Sequence, residues 1–184
     1  MSNPPINLYD SSYPVAKAAL DVLTTLLDKA QAHTPSAADH NLPDARLYED
    51  MSPLSTQVHY VCDIVHNLVA RTTNQDLSTA WPDDAPPATL GDLQARVAAA
   101  RALVEAVEER VVNGRASETL TLETSTYGTV RVCVHRFVST HVLPYLFFYL
   151  GMTYSILRKE GVPLRLMDYM GPFNNIALEN PGLI

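Results

Sequence analysis

Apolar residues recur at three- and four-residue intervals over four long stretches of the chain, the spacing that lines one face of a helix. The first stretch opens at Ser12, with Pro14 in its first turn, and carries Val15, Ala19, Val22, Leu23, Leu26 and Ala30. Lys17, Asp21, Asp28 and Gln31 fall on its other side. The second starts at Ser52-Pro53, a helix-opening pair, and runs through Leu54, Val58, Val61, Val65, Leu68 and Val69 before fading near Thr72. Thr89 with Asp92 three residues later has the form of a capping box, and Leu90, Leu93, Val97, Ala100, Val104, Val107 and Val111 carry a third helix to Asn113-Gly114. A fourth is expected over about 137–160, closed by Gly161 and Pro163, with Pro144 setting its start or bending it.

Before that last helix the period shortens to alternation. Leu120 and Leu122, then Val130, Val132 and Val134, flank Tyr127-Gly128 and predict a β-hairpin, which must lean on helices to be stable. Thr34–Asp50 and Asn74–Ala88 read as loops; the second holds Pro82, Pro86 and Pro87, and Trp81 is expected to plug it onto the core. Residues 162–184 read as an ordered tail packed on the bundle. The pattern thus predicts a mainly α fold, a four-helix bundle with a small β-hairpin before the last helix, as a single domain over 1–184.

Composition narrows the function classes. With 13 Lys and Arg against 20 Asp and Glu the net charge is −7, which argues against a nucleic-acid-binding surface. Cys62 and Cys133 are too few for a disulfide scaffold and lack activating neighbours in sequence, so both read as inert thiols in a reducing, cytoplasmic setting. Residues 1–10 hold no basic cluster before an apolar run and do not look like a signal peptide. The 21 residues from Phe137 to Leu157 contain no Asp, Glu, Lys or Arg, a length that could cross a bilayer. They also hold His141, Pro144 and three tyrosines, which favours the apolar centre of a bundle over a membrane span. No Gly-rich phosphate loop, G-x-S-x-G or H-E-x-x-H occurs.

Three blocks carry a family resemblance. They are Leu8-Tyr9-Asp10 with Pro14; Ala45-Arg46-Leu47, Asp50-Met51, Pro53-Leu54, Gln57-Val58 and Asp63; and Leu143-Pro144, Phe148, Tyr154, Ile156-Leu157-Arg158, Gly161-Val162-Pro163-Leu164, Asp168-Tyr169 and Gly171. Together they resemble the DinB/YfiT-like helical-bundle superfamily, in a fungal and bacterial branch known only as a domain of unknown function. The resemblance implies a four-helix bundle. Many members hold a divalent metal with three histidines, one on the second helix and an H-x-x-x-H pair on the last. Here His141 is followed four residues on by Tyr145, Tyr149 stands where the branch expects histidine, and Leu166 stands where lysine is usual.

Two constellations are candidates for chemistry. His59, Asp63 and His66 lie at i, i+4 and i+7, close enough to share a metal or a proton. At 100° per residue they sit away from the Leu54/Val58/Val65 stripe, on a side that is solvated unless another segment covers it. On the last helix His141, Tyr145, Phe148, Tyr149 and Met152 share one side, where a buried histidine beside two phenols would hold a small molecule and move its protons. The plain alternative is an aromatic core stripe. Arg46, Arg71 and Arg158 can anchor a carboxylate or tie loops and helix ends.

These residues predict a cofactor-independent enzyme of the isomerase, cyclase or lyase type. His141, Tyr145, Tyr149, Asp63 and His59 would be catalytic, and Gln57, Phe148 and Met152 would line the pocket of a small apolar molecule. With the resemblance, such an enzyme suits fungal specialised metabolism. The alternatives are a divalent-metal enzyme, with zinc or nickel on His59, Asp63 and His141, and a non-enzymatic ligand-binding or homodimerising bundle.

Overall fold

Residues 6–33, 41–77, 89–124 and 127–179 are described in a computed structural model of the chain. The first apolar stripe forms helix α1, Tyr13–His33, entered through a turn in which the buried Ser12 hydroxyl donates to the Leu8 carbonyl at 2.6 Å. Inside the bundle the Thr72 hydroxyl donates to the Leu68 carbonyl, so its oxygen is left to accept from the Tyr13 hydroxyl at 2.8 Å. Burial pushes that phenol up to about 12.

Helix α2 spans Leu54–Thr73, with Pro53 rather than Ser52 at the N-cap and Asn74 in the left-handed region at its end. Helix α3, Leu90–Glu105, opens with the expected capping box: Thr89 Oγ1 accepts from the Asp92 N–H, and Asp92 accepts from the Thr89 N–H. It does not run on to Gly114. The chain leaves the helix at Ala106–Glu108 and re-enters a short one, α4, Glu109–Gly114. The break shifts the helical phase, so Val112 is buried and Val111, expected on the stripe, is exposed.

Strands β1, Thr119–Thr124, and β2, Gly128–Cys133, pair antiparallel in a register that sets Leu120 opposite Val132 and Leu122 opposite Val130. The last long helix begins earlier than expected and is not uniform. A turn of α-helix, α5, Val134–Phe137, passes into a π-helical turn over Val138–Val142, where the Leu143 N–H reaches back to the Val138 carbonyl. Helix α6, Leu143–Lys159, follows. Pro144 has no N–H to offer the Thr140 carbonyl and its ring crowds that position, so the chain widens instead of continuing as α.

Residues 162–184 were expected as a tail; most of the segment is a helix, α7, Leu166–Glu179, with Pro172 inside it. Asp168 accepts from the Arg165 N–H at its start and takes both oxygens to Lys29 of α1 at 2.8 Å. Helix α1 packs against α3, α6 and α7, while α2 packs against α3 and α6, so α1, α3, α2 and α6 form a ring with α7 laid on α1. The fold is mainly α, four bundle helices with a small hairpin before the last. Leu20, Leu23, Leu26, Leu54, Leu68, Leu93, Leu146 and Leu150 fill its centre. Among the described residues no helix is long and apolar enough to cross a membrane. Trp81 lies outside the described residues, so the expectation placed on it has no structural counterpart.

Candidate functional site

The expected solvated face of α2 is covered, though by α3 rather than by the long loop or the tail. Arg96 of α3, its side chain only 10% exposed, donates through Nη1 to His59 Nδ1 at 2.5 Å and lies 4.0 Å from Asp63 Oδ1. With Nδ1 accepting, the proton of neutral His59 sits on Nε2, which donates to Asp63 Oδ2 at 2.9 Å. His59, Asp63 and Arg96 thus form one connected, half-buried group. His66 does not join it: a ring nitrogen of His66 lies 3.1 Å from the Leu77 carbonyl, tying down the segment that leaves α2.

On the last helix the structure departs from a buried site. His141, at the end of the π-turn, and Tyr145 are exposed, Phe148 is 53% exposed, and Tyr149 and Met152 are half-buried. This face of α6 points out of the bundle because the core takes the neighbouring side through Leu146, Leu150 and Leu157. His141 lies between Phe137 and Tyr145, with ring centroids at 5.2 and 4.6 Å. Desolvation there holds its pKa below that of an ordinary histidine, so the ring is neutral at pH 7. Burial, with Tyr60 and Tyr145 alongside, raises Tyr149, which stays protonated.

Two residues that the sequence reading passed over connect the clusters. Tyr60 of α2 meets Tyr149 of α6 at 4.8 Å between ring centroids and His59 at 6.0 Å, and Tyr149 lies 6.1 Å from Tyr145. A strip of rings therefore runs from His141 through Tyr145, Tyr149 and Tyr60 to His59. The second is Arg96, whose place one residue before the buried Val97 sets it on the flank of α3 that meets α2. Tyr60 follows His59 directly, but its partner is remote in sequence, and periodicity carries no information on that pairing.

The remaining candidates are dispersed. Gln57 is buried, donates Nε2 to the Ser52 carbonyl at 2.9 Å, and leaves Oε1 without a partner among the described residues. Arg46 and Arg158 bind the Met51 and Val162 carbonyls, so both tie chain segments together. Cys62 is fully buried and its thiol pKa is pushed far up by burial, which removes it as a nucleophile.

A metal does not fit the expected ligands. Both ring nitrogens of His59 are committed, one of them to a guanidinium cation, and the phenols separate His141 from Asp63 along the strip. Among the described residues no three His, Cys, Asp or Glu side chains gather into a group that could hold an ion.

Comparison with known proteins places this geometry in a family. The profile described as "Domain of unknown function (DUF1993)" matches residues 8–170. The chain belongs to the DUF1993 family. This DUF1993 protein is also similar to a solved DinB family member from Shewanella denitrificans, at 31% identity and a TM-score of 0.79, over 89% of this chain and 92% of that one. The DinB-like resemblance read from the motifs therefore holds for the DUF1993 chain along most of its length. No curated protein matches it.

Proposed function

We propose that this DUF1993 protein is a metal-independent acid/base enzyme that isomerises, cyclises or dehydrates a small, largely apolar molecule on the α2–α6 strip. The observation that carries the reading is the unbroken contact of rings between His141 and the His59–Asp63–Arg96 group. Neutral His141 accepts a proton from the substrate, and the hydroxyls of Tyr145 and Tyr149 donate hydrogen bonds to the oxygen on which charge develops. Phe148 and Met152 offer apolar contact, and Asp63 fixes the orientation of His59. A reaction of this kind suits fungal specialised metabolism, and a cytoplasmic enzyme would meet such substrates there.

Enolisation can be followed without a known substrate. A panel of apolar ketones and enones incubated with the protein in D2O should show catalysed exchange at the carbon next to the carbonyl, read by mass spectrometry. His141→Ala should slow it about a hundredfold. Exchange unchanged in that variant, or absent across the panel, would count the reading out.

A second reading, a bundle that dimerises through this face, is favoured by the exposure of Tyr145 (45%) and Phe148 (53%) one turn apart on α6. Sedimentation of wild type against Phe148→Asp tests it: a dimer lost in the variant supports it, and a monomer at all concentrations removes it.

A further inference from the structure

A cavity of about 440 Å³ opens between α1, α3 and α7, on the opposite edge of the helix ring from the aromatic strip. Its volume lies in the range of small-molecule sites. Tyr9 and Pro14 close it at one side and Pro172 and Ile176 of α7 at another. The Tyr9 ring stacks on Tyr13 at 4.7 Å with 9° between the planes, so that wall is apolar and held in place.

The charges around the cavity are unequal in their commitments. Asp21 and Lys17, one turn apart on α1, could pair with each other, yet Asp21 turns to Arg101 of α3. Arg101 also bonds Glu105 through Nε at 2.9 Å, so its charge is met by two carboxylates. Among the described residues no hydrogen bond or ion pair engages the half-buried Lys17. One ammonium group is thus left over in a wall otherwise neutralised or apolar, and the Asn175 amide lines the same space.

We propose that this cavity binds a small organic monocarboxylate, with the carboxylate held by Lys17 and Asn175 and an apolar body lying against Tyr9, Pro14, Pro172 and Ile176. A single negative charge is what the site can neutralise: a second would face Asp21. A cationic ligand would meet Lys17 and find Asp21 already paired.

The probe is 4-phenylbutyrate, with 4-phenylbutan-1-ol as its uncharged counterpart, titrated into the full chain by calorimetry and by NMR. The acid should bind saturably and about tenfold more tightly than the alcohol, the ratio expected for a charge-assisted hydrogen bond. Lys17→Met should remove that preference, Lys17→Arg should keep it, and Asn175→Ala should weaken the acid alone. Melting temperatures near wild type will show that the variants are folded. Absence of binding, equal affinity for acid and alcohol, indifference to Lys17→Met, or shifts confined to His141 and Tyr149 would each overturn the proposal.

Discussion

Tyr13 and Thr72 show how one buried hydroxyl pair divides its energy. Thr72→Val leaves the Tyr13 O–H without an acceptor in the bundle and should cost about 2 kcal/mol, whereas Tyr13→Phe removes donor and need together and should cost about 1 kcal/mol. Denaturant midpoints of the two variants give the order directly. His141 makes a pH-dependent contribution of the opposite kind. Its folded pKa lies below that of the unfolded chain, so the unfolded state binds more protons and stability falls as pH drops through the ordinary histidine range. Tyr145→Ala should raise the His141 pKa, measured by NMR titration, because it uncovers one face of the ring. Of the site residues, His59 and Asp63 were legible from their i,i+4 spacing, since neighbours on one helix follow from the period alone. Arg96 and Tyr60 matter through partners on other helices, and no periodicity within α2 or α3 reveals which side chains will face each other.

At the level of elements, α7 depends on the Asp168–Lys29 pair that ties it to α1. The Lys29 hydrogen bonds hold the Asp168 carboxyl below the usual carboxylate range, with the Arg165 N–H adding to the effect. A depressed carboxylate stabilises the fold above its unfolded pKa and loses that contribution as pH falls through the folded value. Lys29 is 39% exposed, so Asp168→Asn should cost about 1 kcal/mol or less at pH 7, and thermal melts of the two proteins should converge once the pH falls below the usual carboxylate range. Thr89→Ala should cost about 1 kcal/mol by removing the cap of α3. The helices and hairpin with strong period and clear end signals were readable in advance. Helix α7 was not, because Gly171 and Pro172 sit where a helix interior should be; Tyr169 and Phe173, packed on Tyr154 and Phe147, hold it in place. The break at Ala106–Glu108 was also invisible, since Val107 and Val111 continue an unbroken stripe on paper.

Across the molecule, the two edges of the helix ring carry different chemistry. The α2–α6 edge is aromatic, with phenols and imidazoles in contact, while the α1–α3 edge, with α7 beside it, holds the charged cavity. Chemistry on the first and carboxylate binding at the second can be perturbed independently: Lys17→Met should leave proton exchange at the strip unchanged, and His141→Ala should leave 4-phenylbutyrate affinity unchanged. Paired titrations and exchange rates on the two variants check this, and cross-talk would show that the sites are coupled through α1, which packs against both α3 and α6.

The π-turn at Val138–Val142 has a counterpart written in the spacing of the core. Val134, Val138, Val142, Leu146 and Leu150 are all buried at intervals of four residues. In an uninterrupted helix each four-residue step overshoots a full revolution by about 40°, so sixteen residues would carry the buried row roughly 160° around the axis. The wider turn absorbs the equivalent of one residue, about 100° of that drift, and keeps the row pointed inward. Deleting one residue between Val138 and Val142 would therefore let the helix close as plain α with Leu146 and Leu150 still pointing inward, whereas inserting one there would carry everything beyond the turn about 100° further round, drawing Tyr145 and Tyr149 toward the core and turning Leu146 and Leu150 toward water. The same fold without the wide turn would need its buried positions respaced in a mixture of threes and fours.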